Sequence, residues 1–115
     1  MSETYVTGLR GEDAARQHLI QSGYRILAER YRDGKGEIDL VAEDKAVLVF
    51  VEVKYRPQGQ YGDGLAAVTP AKQKRILSAA LRYMVKAGMT ERITRFDVIE
   101  ITKDGLYHLE NAFYR

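Results

Sequence analysis

Every position of residues 47–53 except Glu52 is apolar (VLVFVEV), so a strand there buries both of its faces until it meets a single carboxylate. Around this run the pattern alternates between helical and extended periods. Leu9, Ala15, Leu19 and Ile20 recur at helical spacing over residues 8–22, and Gly23 stands where a left-handed cap belongs. Residues 24–32 (YRILAERYR) suit a first strand, although Ala28 and Glu29 blur the alternation. Residues 37–42 and 47–55 read as two clearer strands joined by a polar turn through Glu43, Asp44 and Lys45, which predicts an antiparallel hairpin. Residues 56–68 (RPQGQYGDGLAAV) hold three glycines and a proline and read as a loop. Thr69-Pro70 then supplies an N-cap and a first-turn proline, and Ile76, Leu77, Ala80, Leu81, Met84 and Val85 trace an apolar face as far as Gly88. Two more strands, 96–102 and 106–110, flank a Lys103-Asp104-Gly105 turn. The predicted class is α/β: one domain over residues 1–115, a mixed sheet of about five strands flanked by two main helices, in the order α-β-β-β-α-β-β.

Strand alternation puts Leu48, Phe50, Glu52 and Lys54 on one face of the central strand. A hairpin loop of two residues (Asp44-Lys45) or four (Glu43 to Ala46) sets Asp39 across from Phe50 and Glu37 across from Glu52. Asp39 and Glu52 are then diagonal neighbours on one face, about 7–8 Å apart at the backbone. Carboxylates taken out of water need a cation, and Mg²⁺ is commonly held by one or two carboxylates together with substrate phosphate. Asp39 and Glu52 supply such a pair, and Lys54, on the same face, supplies positive charge beside an attacking water or a strained phosphate. An intra-strand Glu52–Lys54 pair and a turn-facing Asp39 are the structural alternative.

Composition narrows the setting. A chain of 115 residues without cysteine has no disulfide framework, thiolate zinc site or cysteine nucleophile, which fits a cytoplasmic location. The longest apolar run, residues 46–51, is far too short for a membrane span, and no membrane association is expected. The net charge of +2 is unevenly spread: residues 1–53 carry −3, residues 54–86 carry +6 and residues 87–115 carry −1. A basic block that begins at the carboxylate cluster suits a polyanion held by its phosphates, or else forms a solvated helix face.

The run GEIDL followed by FVEVK resembles the divided D…E-x-K signature of the restriction-endonuclease-like nuclease fold, with Ile38 where the general signature has proline. The ordered set of Gly11-Glu12 with Ala15, Gly23-Tyr24, residues 36–40, residues 50–54 with Arg56, Lys72, Arg95-Phe96-Asp97 and Ala112-Phe113 resembles the YraN-like family of small bacterial proteins. That resemblance implies a core similar to Holliday-junction resolvases and a metal-dependent nuclease acting on DNA rather than RNA. It assigns Asp39 and Glu52 as ligands for Mg²⁺ or Mn²⁺ and Lys54 as the catalytic lysine. The Val53 carbonyl and Glu12 are further ligand candidates, and a homodimer would suit branched DNA. Glu12 is equally a residue favoured by the helix N-terminal dipole. Arg56, Lys72 and Gln73 are candidate nucleic-acid contacts, whereas Lys74, Arg75, Arg82 and Lys86 read as outward, solvated charges. His18 and His108 stand alone in the sequence and receive no role. The alternative function is a non-catalytic nucleic-acid-binding module on the same fold.

Overall fold

The computed structural model describes residues 3–34, 36–62, 64 and 67–113, with backbone alone for 3–10. The elements are α1 (Glu3–Gln21), β1 (Arg25–Asp33), β2 (Gly36–Asp44), β3 (Val47–Arg56), α2 (Pro70–Ala87), β4 (Ile93–Thr102) and β5 (Gly105–Phe113). The strands form one sheet in sequential order. Neighbours are antiparallel except β3 and β4, which run parallel because α2 carries the chain back across the sheet. The predicted order and mixed sheet are those observed. Leu9, assigned to the inward face of α1, and residues 63, 65 and 66 of the predicted loop fall outside the described side chains or residues.

The doubly apolar run of β3 sits at the centre of the sheet and separates two cores. On the α2 side, Leu48 and Phe50 pack with Phe96, Val98, Ile76, Ala79 and Met84. On the α1 side, Val49 and Val51 pack with Leu40, Ile99, Ala15 and Leu19. Phe50, Phe96 and Phe113 stack in a row, with ring centroids 5.4 and 5.2 Å apart. Thr69 caps α2, its hydroxyl accepting from the Lys72 amide, and Gly88 closes the helix in the left-handed conformation (φ 69°). The apolar stripe of α2 is narrower than its spacing predicts. Leu81 and Val85 are more than half exposed, and Ala79 takes the inward position instead.

The β2–β3 register corrects the expected one. Val41, not Asp39, lies across from Phe50, and the turn is Lys45-Ala46, with Lys45 at φ 56°. Ion pairs hold Glu43 and Asp44 in the strand: Arg92 and Arg25 bind Glu43 at 2.6 and 3.0 Å, and Arg95 reaches Asp44 at 3.3 Å. These bonds extend β2 by two residues and displace the turn. The shift is an even number of residues, so residues 40–44 keep the faces expected of them.

A second irregularity shapes the site. Ile38 and Val41 both pack on the α2 side although Leu40 packs on the α1 side, so alternation slips at Asp39. Tyr31 and Ala28, opposite them on β1, show the same slip around Arg30, which adopts φ 52°. A left-handed arginine costs roughly 1–2 kcal/mol, and such strain persists where surrounding structure dictates it. Gly36 starts β2 hard against α2: a Cβ there would stand 2.6 Å from the Arg75 carbonyl oxygen and 2.7 Å from the Ala79 Cβ.

Candidate active site

The β2–β3 ladder runs as far as the Leu40–Val51 pair. Beyond it Asp39 turns its carboxylate across to β3 and accepts the Val53 amide hydrogen at 2.7 Å. Glu52, the single break in the apolar run, is 7% exposed on the α2 side of β3. Lys54 Nζ lies 3.1 Å from its Oε1. Lys72, from the first turn of α2, reaches the same oxygen at 2.8 Å. The cleft at this cluster holds about 290 Å³ and is lined by Glu37, Asp39, Glu52, Lys72, Arg75 and Ile76.

The electrostatics follow from crowding. Burial raises the Asp39 carboxyl to about 7, helped by the negative charge of Glu52 and opposed by the Val53 hydrogen bond. Burial likewise lowers the Lys54 ammonium, as does its contact with Lys72, while Glu52 works the other way. At Lys72 burial is the largest influence and disfavours the charge, but the bonds to Glu52 and Lys54 and the negative charges of Glu52 and Asp39 together hold the pKa above the ordinary value. Two ammonium groups thus face two carboxylates, with Lys72 on the solvent side and Glu52 and Lys54 largely buried.

Asp39, Glu52, Lys54 and Lys72 are therefore brought together, while the other sequence candidates are placed differently. Glu12 is bonded to Arg30 at 2.7 Å, near enough for its charge to raise Asp39. Val53 engages Asp39 through its N–H. Gln73 gives its side-chain amide to the Val68 carbonyl at 3.0 Å and so ties the loop to α2. Arg56 lies exposed at the end of β3, outside the cleft lining. Arg75, read as a solvated charge, lines the cleft. Arg82 and Lys86 bind Asp33 at 3.1 and 2.7 Å, which, with the Tyr31 hydroxyl, lowers that carboxyl to about 2.

Two further groups are absent from the sequence candidates. Glu100, 3% exposed, pairs in register with Lys54 and accepts the Gly62 amide hydrogen at 2.7 Å, fastening the glycine-rich loop beside the site. Gly64 lies so close that a Cβ would stand 2.6 Å from the Lys54 Cβ. An isolated glutamate in the apolar run of β4 (FDVIEI) was the available hint. The second group is on the α1 side. His18 and His108 are not isolated: their Nε2 and Nδ1 atoms lie 3.0 Å apart, and His108 Nε2 is 2.7 Å from Asp97. Ninety residues separate the two histidines, so spacing could not reveal them.

Among the described residues no three side chains of His, Cys, Asp or Glu already converge on one point, and no helix is long and apolar enough to cross a membrane.

Comparison with known proteins agrees with the ordered motifs. A UPF0102 protein of Geobacter sulfurreducens is 44% identical over 113 residues, covering 94% of this chain and 88% of its own length. One from Symbiobacterium thermophilum is 46% identical, covering 93% of this chain and 95% of its own. A third, from Klebsiella pneumoniae, is 43% identical over 93% of this chain and 85% of its own. The profile of the uncharacterised protein family UPF0102, the YraN-like group, matches residues 11–101, which include every residue that lines the cleft. The chain belongs to the UPF0102 family.

Proposed function

We propose that the protein is a divalent-metal-dependent nuclease that hydrolyses phosphodiester bonds in DNA, on a fold of the restriction-endonuclease-like kind. One observation carries the reading: Asp39 and Glu52, oxygen donors on adjacent strands, line one cleft with Lys72, and Lys54 stands 3.1 Å from Glu52. The donor set fits Mg²⁺ or Mn²⁺, which prefer carboxylate and water oxygen. The Lys72 ammonium on Glu52 is a cation already standing where a metal would bind. Asp39 and Glu52 would hold the ion, with the Val53 carbonyl and Glu12 as further candidate ligands. The ion, when bound, polarises the phosphate and lowers the pKa of an attacking water.

The chain's own groups supply the remainder. Lys54, held beside Glu52 and depressed in pKa by burial, sets positive charge where charge grows on the phosphate. Lys72 and Arg75, one helical turn apart on α2, present cations to the non-bridging oxygens of the phosphates. The buried floor of the cleft, Ile76, keeps the dielectric low. A pair of copies cutting two strands of branched DNA, in the cytoplasm, extends this reading by analogy with Holliday-junction resolvases.

The test is a panel of duplex, single-stranded, flap and four-way DNA incubated with Mg²⁺ or Mn²⁺, with Asp39→Ala and Glu52→Ala as controls. Metal-dependent cutting abolished in both variants is the expected result. Binding that persists with no cutting in any metal would instead make the protein a non-catalytic nucleic-acid-binding module.

A further inference from the structure

The α1 side of the sheet carries a polar cluster that the proposed nuclease chemistry leaves unused. His18 lies in the last turn of α1, and its Nε2 faces the Nδ1 of His108 on β5 at 3.0 Å, the rings meeting at 77° with centroids 5.1 Å apart. Asp97, with no exposed surface, binds His108 Nε2 at 2.7 Å. Arg95 at 2.9 and 3.0 Å and the Asn111 amide at 3.0 Å fix that carboxylate in turn. Asp97 therefore draws the His108 hydrogen to Nε2 and leaves the Nδ1 lone pair turned towards His18.

From this geometry we infer that His18, His108 and Glu110 form a second metal site, selective for a nitrogen-preferring divalent cation of the zinc class. Three features point to a ligand rather than to a simple hydrogen bond. The first is the carboxylate behind His108, the arrangement that orients histidines which bind metal. Second, the nitrogens stand close to the roughly 3.3 Å separation that two imidazoles need on a tetrahedral ion with Zn–N bonds of about 2.0–2.1 Å. The third is the surrounding hollow of about 520 Å³, which His18, His108 and Glu110 line together with Tyr24, Asp44 and Lys45.

Glu110 is two residues from His108 on β5 and supplies the third ligand by turning inward. It is free to do so: its side chain is 59% exposed and its contacts are long, 3.3 Å from the Tyr24 hydroxyl and 3.8 Å from Arg95. His18 enters the site by moving its ring hydrogen from Nε2 to Nδ1, so neither histidine need lose a proton overall. Water completes the coordination. The ion ties the end of α1 to the edge strand β5, and its nitrogen donors distinguish it from the all-oxygen set at Asp39 and Glu52.

The full-length metal-free protein is titrated with Co²⁺, followed by calorimetry and by the visible absorption of low-coordinate Co²⁺. One equivalent is expected to give the band, any further uptake at the Asp39 and Glu52 oxygens leaving it unchanged, and the band is expected to vanish in both His18→Gln and His108→Gln. The Asp39→Ala/Glu52→Ala double variant should retain it, so the outcome is separate from that of the nuclease reading. His18→Gln keeps a hydrogen-bond donor towards His108, and an unchanged melting temperature of the metal-free form verifies its fold. Absence of a Co²⁺ band, a band that survives both histidine substitutions, or one lost only in the double variant would overturn the inference.

Discussion

Asp39 is held by geometry against its own charge. Its carboxyl titrates near 3.8 in an unfolded chain and at about 7 in the fold, so both forms are protonated at low pH and the fold suffers no penalty there. As the pH rises through about 7 the folded protein must ionise a buried group that the unfolded chain has already ionised, and that part of the stability is lost. Asp39→Asn, which keeps an acceptor for the Val53 amide, should raise the melting temperature at about pH 8, by the equivalent of about 1–3 kcal/mol, and leave it unchanged at about pH 4. Thermal denaturation at the two pH values checks this, and equal shifts at both would contradict it. The partners of Glu52 are expected to separate by role. Lys72→Ala should weaken DNA binding uniformly across sequences and lower the salt slope by about 1, because Lys72 is the more exposed of the two ammonium groups on Glu52. Fluorescence anisotropy at several salt concentrations measures it.

Among the elements, β3 and α2 were the most legible. An apolar run unbroken as far as Val51 identifies a doubly buried strand, and a threonine-proline start with a glycine stop delimits a helix by local chemistry alone. The pairing of β2 with β3 was readable only in parity. Where a hairpin turns is decided by what its last residues bind, and the arginines that keep Glu43 and Asp44 extended come from β1, from β4 and from the residue just before β4. The slip of alternation at Asp39 and Arg30 had no local signal either, since neither residue type favours it. Glu100 and the His18–His108 contact were hidden for the same reason: each depends on a partner distant in sequence. Two substitutions probe these elements. Gly36→Ala forces a methyl into the Arg75 carbonyl and should cost about 1–3 kcal/mol. Thr69→Ala removes the α2 cap and should cost about 1 kcal/mol. Urea denaturation of each variant gives the comparison, and a neutral Gly36→Ala would mean that β2 does not press on α2 as described.

Over the whole molecule, the sheet divides two kinds of polar chemistry. Its α2 side gathers carboxylate and ammonium groups in an open cleft, and its α1 side gathers imidazole and carboxylate around His108. The basic excess of residues 54–86 falls on the cleft side, with Lys72 and Arg75 at its wall and Arg82 and Lys86 neutralised in part by Asp33. The central claim is that the cleft exists to hold a divalent cation between two strands. Anomalous diffraction from crystals soaked in Mn²⁺ tests it most directly. The account predicts a peak bonded to carboxylate oxygens of both Asp39 and Glu52, with Lys72 displaced from Glu52. A cleft without such a peak at saturating Mn²⁺, with Lys72 still on the glutamate, would contradict it.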